Sequence, residues 1–112
     1  MHDLIEYLNE QADTNRSFQW AFEWLTKNPG EHQLVHGVII DPDTGNKLNS
    51  AWIETAVDVV MDFYTHNNPK YPYGVKTKDF YAIVTPTNMK KYTLKQAMAE
   101  VEQSKHHGPW HM

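Results

Sequence analysis

The groups of this chain that could do chemistry are its seven histidines and fourteen acidic residues, because it has no cysteine. His106, His107 and His111 cluster near the end of the chain. Metal ligation would need them held in fixed geometry, with a carboxylate or a further imidazole from elsewhere. Pro109 lies between them and breaks any helical i, i+4 presentation. The cluster reads as a polar tail with adventitious metal affinity, and no metal or cofactor is expected. His36 is different. It sits among apolar residues in Gln33–Ile40, which places it in the interior or at a pocket edge. A hydrogen-bonded structural histidine is the simpler reading of it, and a catalytic base the sharper one.

Among the carboxylates, Asp58 and Asp62 flank Val59-Val60-Met61, and Glu54 follows Trp52-Ile53. On a strand Asp58 and Asp62 share a face with Val60, and their spacing makes no acid/base pair of them. Asp62 has apolar neighbours in Met61 and Phe63, so a solvated edge and a buried carboxyl are both open. The missing cysteine excludes a thiol nucleophile, Cys-ligated zinc and a disulfide scaffold of the secreted kind. The five glycines are isolated, so no phosphate-cradling loop is present. There is also no G-x-S-x-G elbow. No complete active site can be read from these residues alone.

Composition bounds the rest. A chain of 112 residues is enough for one domain, residues 1–112, and too short for two. Trp20, Trp24, Trp52 and Trp110 bring enough apolar volume for a real core. The net charge is −4 and the basic residues do not cluster beyond Lys90-Lys91, which argues against nucleic acid as a partner. No apolar run approaches the roughly 20 residues that span a bilayer. Met1–Glu10 is acidic and amphipathic, unlike a signal peptide. The expectation is a soluble cytoplasmic protein.

The elements that would position these groups follow from periodicity. Leu4, Ile5 and Leu8 suggest a short helix in Asp3–Gln11, and Asp13, Thr14 and Asn15 offer cap side chains for a second. In that second helix Phe18, Phe22 and Leu25 lie at i, i+4 and i+7, and Trp20 with Trp24 make another stripe. Asn28-Pro29-Gly30 ends it. Gln33–Ile40 reads as a central strand, apolar on both faces. Asp41-Pro42-Asp43-Thr44-Gly45 is a turn, and a hairpin should follow. Ser50–Phe63 fits either a helix or two strands, Ser50–Thr55 and Val59–Phe63. Its β-branched valines favour the strands. Tyr64–Lys78 reads as a loop rich in tyrosine and proline, and Asp79–Thr85 as a further strand ended by Pro86. Thr93-Leu94-Lys95-Gln96 is a capping box that opens a last helix. The fold class expected is α+β: an antiparallel sheet packed on the helix near Ser17, with a C-terminal helix. Trp52 is expected to be buried against Phe18 and Phe22.

In this order, Ser17 early in a helix, Leu34-Val35-His36-Gly37, then Asn49-Ser50-Ala51-Trp52-Ile53-Glu54, then a valine-rich strand ending in Asp62, the chain resembles small prokaryotic and phage domains with a papain-like, transglutaminase-like core. Lys91-Tyr92-Thr93 and Gly108-Pro109-Trp110 add to the likeness, which covers about half of the chain. In that group a Cys opens a helix, an L-V-H-G segment leads into the sheet, an H-A-W-V-E segment supplies the catalytic His, and an Asp follows on the next strand. The resemblance implies that Ser17 stands at the position of the Cys and Ser50 at that of the His, with Asp62 matching the third group. The reaction of the group needs a thiolate, a base and an orienting carboxylate. The resemblance therefore implies a domain that kept the fold and lost the reaction.

Two functions follow as expectations. The first is a non-catalytic binding module for a protein or peptide partner, using the old cleft or the aromatic loop, with Trp52, Tyr71 and Tyr73 as binding residues. A second copy of the chain is a candidate partner. The second is a divergent hydrolase or acyl-transferase using Ser17, His36 and Asp62.

Overall fold

The structure, a computed structural model, describes residues 16–66, 68–71 and 74–110. The expected helix in Asp3–Gln11 and the caps at 13–15 lie outside the described residues. The described chain opens with helix α1, residues 16–27. Strands β1 (Gln33–Ile40), β2 (Lys47–Glu54), β3 (Val59–Asp62) and β4 (Val75–Lys76) follow, then α2 (Thr77–Val84), β5 (Thr87–Tyr92) and α3 (Leu94–Ser104). The strands form one antiparallel sheet in the order β4-β3-β2-β1-β5. The protein is α+β.

The alternation in β1 explains why it lies inside the sheet. Leu34 joins Phe18, Ala21 and Leu25 of α1, Ala51 and Ile53 of β2, Tyr92 of β5 and Ala97 of α3 in one core. Val35 and Ile39 point the other way and join Trp52, Val60, Val75, Phe80 and Val84 in a second core under α2. A strand buried on both faces must be apolar at successive positions, as β1 is. The turn after β1 closes with Asp41 N–H donating to Asn46 O at 2.8 Å and Gly45 in the left-handed region at φ 76°. Ser50–Phe63 is strand, turn and strand: β2 and β3 pair Trp52 with Asp62, and Asp58 takes φ 62° in the turn between them. Asp58 therefore does not share a strand face with Asp62.

Two expectations are corrected, the strand at Asp79–Thr85 and the packing of Trp52 on Phe18 and Phe22. Asp79–Thr85 is not a strand but lies mostly in α2. Its Phe80 and Val84, four residues apart, cover the second core, and Thr85 ends the helix in the left-handed region before Pro86. Proline one residue past a helix end stops a helix as effectively as a strand, so Pro86 did not discriminate. After the helix, Thr87–Tyr92 forms β5, an edge strand exposed at every residue but Tyr92. Lysines on such an edge are how sheets avoid pairing with other chains. Trp52 is fully buried, but on the face away from α1, against Phe80 and Tyr81. Its ring lies over Gly37: a Cβ there would sit 2.9 Å from Trp52 Cη2 and 3.3 Å from the Thr87 carbonyl, so only glycine fits.

The last helix begins as the sequence implies. Thr93 Oγ1 accepts from Gln96 N–H at 3.2 Å, and Gln96 Oε1 accepts from Thr93 N–H at 3.0 Å. Beyond α3 the chain folds back over the first core. Trp110 packs on His36 at 4.6 Å and on Tyr92 at 5.0 Å between ring centroids.

Candidate functional site

Ser17 lies in the first turn of the described part of α1, and Ser50 lies on β2 opposite Gly37. Packing of α1 on the sheet brings their hydroxyls together: Ser50 Oγ donates to Ser17 Oγ at 3.4 Å. Both residues are buried, with Ser17 at 0% exposure and Ser50 at 2%. The two positions singled out by the resemblance are thus neighbours, 33 residues apart in sequence. Neither is open to solvent.

His36 is fully buried on the same face of the sheet as α1. No hydrogen bond joins it to Ser17. It is caged by rings instead: Phe18 at 4.7 Å edge-on, Tyr92 at 5.1 Å and Trp110 at 4.6 Å. Gly108, at φ 122°, closes the cage, because a Cβ there would fall 2.5 Å from His36 Cε1. Such enclosure restricts a ring rather than presenting it to a substrate. The Tyr92 hydroxyl above it is pushed up from its ordinary pKa by burial and, less, by the Glu100 carboxylate.

Asp62 is buried at 4% exposure and stands apart from the two serines. Its Oδ1 accepts from the Thr65 hydroxyl and from Thr65 N–H. Burial raises its pKa above the ordinary carboxylate value. Bonds from Thr65 and Tyr64 and the nearby His66 oppose that rise without overcoming it. The His66 ring is placed by its Nδ1–H, which donates to Phe63 O, and by Trp20 of α1 at 4.8 Å. A second polar chain runs beside Trp52: its Nε1 donates to Tyr81 Oη at 3.2 Å, Tyr81 donates to Glu54, and Lys91 pairs with Glu54 at 2.9 Å. Burial first, then the Glu54 bond, pushes the Tyr81 phenol well above its usual pKa. These bonds satisfy groups under α2 and leave Trp52 with no exposed surface. Trp52, expected as a binding residue, is fully buried in the second core.

A cavity of about 530 Å³ opens beside Asp62. Ile39, Leu48, Val75, Phe80 and Val84 supply its apolar lining, and Asp41, Asp43, Tyr64, Thr65, Asn68 and Tyr71 its polar lining. That size suits a small ligand or a few side chains of a partner. Tyr71, one of the expected binding residues, is here, while Tyr73 lies outside the described residues. Of this lining the sequence singles out Asp62, as a catalytic carboxylate, and Tyr71, as a binding residue, and does not single out the rest. Asp41 and Asp43 read only as turn formers. Phe80 and Val84 were hidden by the assignment of Asp79–Thr85 as a strand, although their i, i+4 spacing was a usable helical signal. Among the described residues, no group of three or more His, Asp or Glu side chains is placed to hold a metal. His106 and His107 are engaged locally, His106 Nδ1 by Gly108 N–H and His107 by the Phe22 ring. No helix among the described residues is long and apolar enough to cross a membrane.

Compared with protein-family models, curated proteins and solved structures, the chain finds no match.

Proposed function

We propose that this protein is a non-catalytic binding module on a degenerate papain-like fold, acting in the cytoplasm on a protein or peptide partner through the cavity beside Asp62. The observation that carries the reading is the contact of Ser17 with Ser50. At the position where the papain-like reaction has a base, Ser17 meets another hydroxyl. A serine hydroxyl attacks a carbonyl at neutral pH only when a neighbour takes its proton, and a second serine does not do so. Burial of both residues adds that no acyl group has access to them. The open, partly apolar surface lies instead beside Asp62 and Tyr71. The lack of cysteine fits a reducing compartment, and the phage-like motifs fit a domain inherited from that source.

The test rebuilds the lost pair. In Ser17→Cys with Ser50→His, the contact seen between the hydroxyls places an imidazole against a thiol. Thiolate absorbance followed against pH should give a lower thiol pKa in the double variant than in Ser17→Cys alone, because an imidazolium stabilises a thiolate. Equal values in two folded variants would remove the papain-like reading. The unmodified protein should leave an activated ester at its background rate of hydrolysis. Turnover abolished by Ser17→Ala or His36→Ala would replace the binding module with the hydrolase that uses Ser17, His36 and Asp62.

A further inference from the structure

The cavity beside Asp62 has a chemical bias that narrows its occupant. Three carboxyl groups line it, Asp41, Asp43 and Asp62, and the described lining contains no Lys, Arg or His. Asp41 is held in place, since its Oδ1 accepts from Asp43 N–H at 2.8 Å. Asp62 is fixed by Thr65. The two tyrosines of the lining, Tyr64 and Tyr71, offer ring faces that attract cations. Tyr71 already has a Lys70 ammonium 5.5 Å from its ring centroid, outside the lining. Beneath these groups the wall is apolar and formed by both sheet and α2.

Among the lining residues a negatively charged ligand would meet only carboxyl groups, while the nearest basic side chains, Lys70 over Tyr71 and His66 beside Asp62, lie outside the lining. A purely apolar one would leave a carboxyl desolvated with nothing gained. A cation on an apolar stem satisfies both parts of the site: the stem covers the wall and the head reaches the carboxyls. We propose that this cavity binds a cationic head on an apolar stem, the chemistry of a lysine or arginine side chain presented by the partner. The inference rests on the binding-module reading and specifies its partner as a basic, apolar-flanked segment. The strain of burying the Asp62 carboxyl is relieved by such a ligand, because an opposite charge favours its ionised form.

Hexylammonium chloride, 1-hexanol and sodium hexanoate share a stem and differ in the head, so they separate the two parts of the site. Each is titrated into the ¹⁵N-labelled protein at neutral pH. Hexylammonium should shift the amides of Ile39, Leu48, Thr65 and Val84 and bind about tenfold more tightly than hexanol, the ratio that about 1.4 kcal/mol of charge interaction gives. Hexanoate should bind most weakly. Asp62→Asn, which keeps an acceptor for Thr65, should cut the preference for the ammonium and leave hexanol binding unchanged. Asp43→Asn, on an exposed turn, should act in the same direction without any risk to folding. Equal binding of the three heads would overturn the cationic specificity and leave the cavity as a binding site. No shift with any of them would overturn both this inference and the assignment of the binding site to the cavity.

Discussion

Burial of the Asp62 carboxyl makes stability depend on pH in a definite direction. Its folded-state pKa lies above the ordinary value of 3.8. Between the two values the folded protein holds a proton that the unfolded chain has released, so stability falls as pH rises through that window. Below the ordinary value the contribution is fully present. Asp62→Asn removes the titration and keeps a carbonyl for Thr65. The stability of this variant relative to the parent should therefore increase as pH rises above the ordinary carboxylate value of 3.8, read from urea midpoints. A difference that stays constant over that range would show that Asp62 titrates as an exposed carboxylate does. The other singular side chains act by enclosure. Gly37 makes room for Trp52, and Gly108 makes room for His36.

At the scale of elements, α1 is held by ring pairs from four separate segments. Phe18 meets His36, Trp20 meets His66, Phe22 meets His107 and Trp24 meets His32. Each aromatic of the helix thus has its own imidazole, which accounts for an apolar helix with histidines distributed along the chain. Helix α3 depends more on its end. It buries only Ala97 fully, so the capping box of Thr93 and Gln96 carries a large part of its local stability. Thr93→Ala should destabilise the protein by about 1 kcal/mol, and Thr93→Ser by much less, in chemical denaturation. A loss near zero for the alanine variant would mean that packing alone sets the helix start. Helix α2 shows the opposite balance. Thr77–Val84 is rich in β-branched and aromatic residues and has no side-chain cap, and it is helical because Phe80 and Val84 cover Val60, Val75 and Trp52.

The whole molecule has two cores separated by the sheet, one under α1 and α3 and one under α2. Leu25 belongs to the first and Phe80 to the second, with no shared buried partner in either cluster. Leu25→Ala and Phe80→Ala should each cost about 2–5 kcal/mol, and in the double variant the losses should add to within about 0.5 kcal/mol. Both cores should melt in one transition, because β1 and β2 contribute to each. Two separate transitions by near-ultraviolet dichroism and by amide exchange would show that the faces are independent. Much of this arrangement is legible in local patterns. The double-faced apolar run fixes β1 as an inner strand, Asp41–Gly45 makes its hairpin turn, the valines make β3 and the Thr93–Gln96 box starts α3. These features depend on neighbours within a few residues, and such interactions survive in any fold. The rest was decided at long range. Asp79–Thr85, expected as a strand, lies mostly in the helix Thr77–Val84 because a core beneath it rewards an i, i+4 face. Polar Thr87–Tyr92 becomes a strand because β1 offers it unpaired backbone groups. The closeness of Ser17 and Ser50, and the gathering of Asp41, Asp62 and Tyr71 round one cavity, are products of packing between distant segments, which no periodicity records.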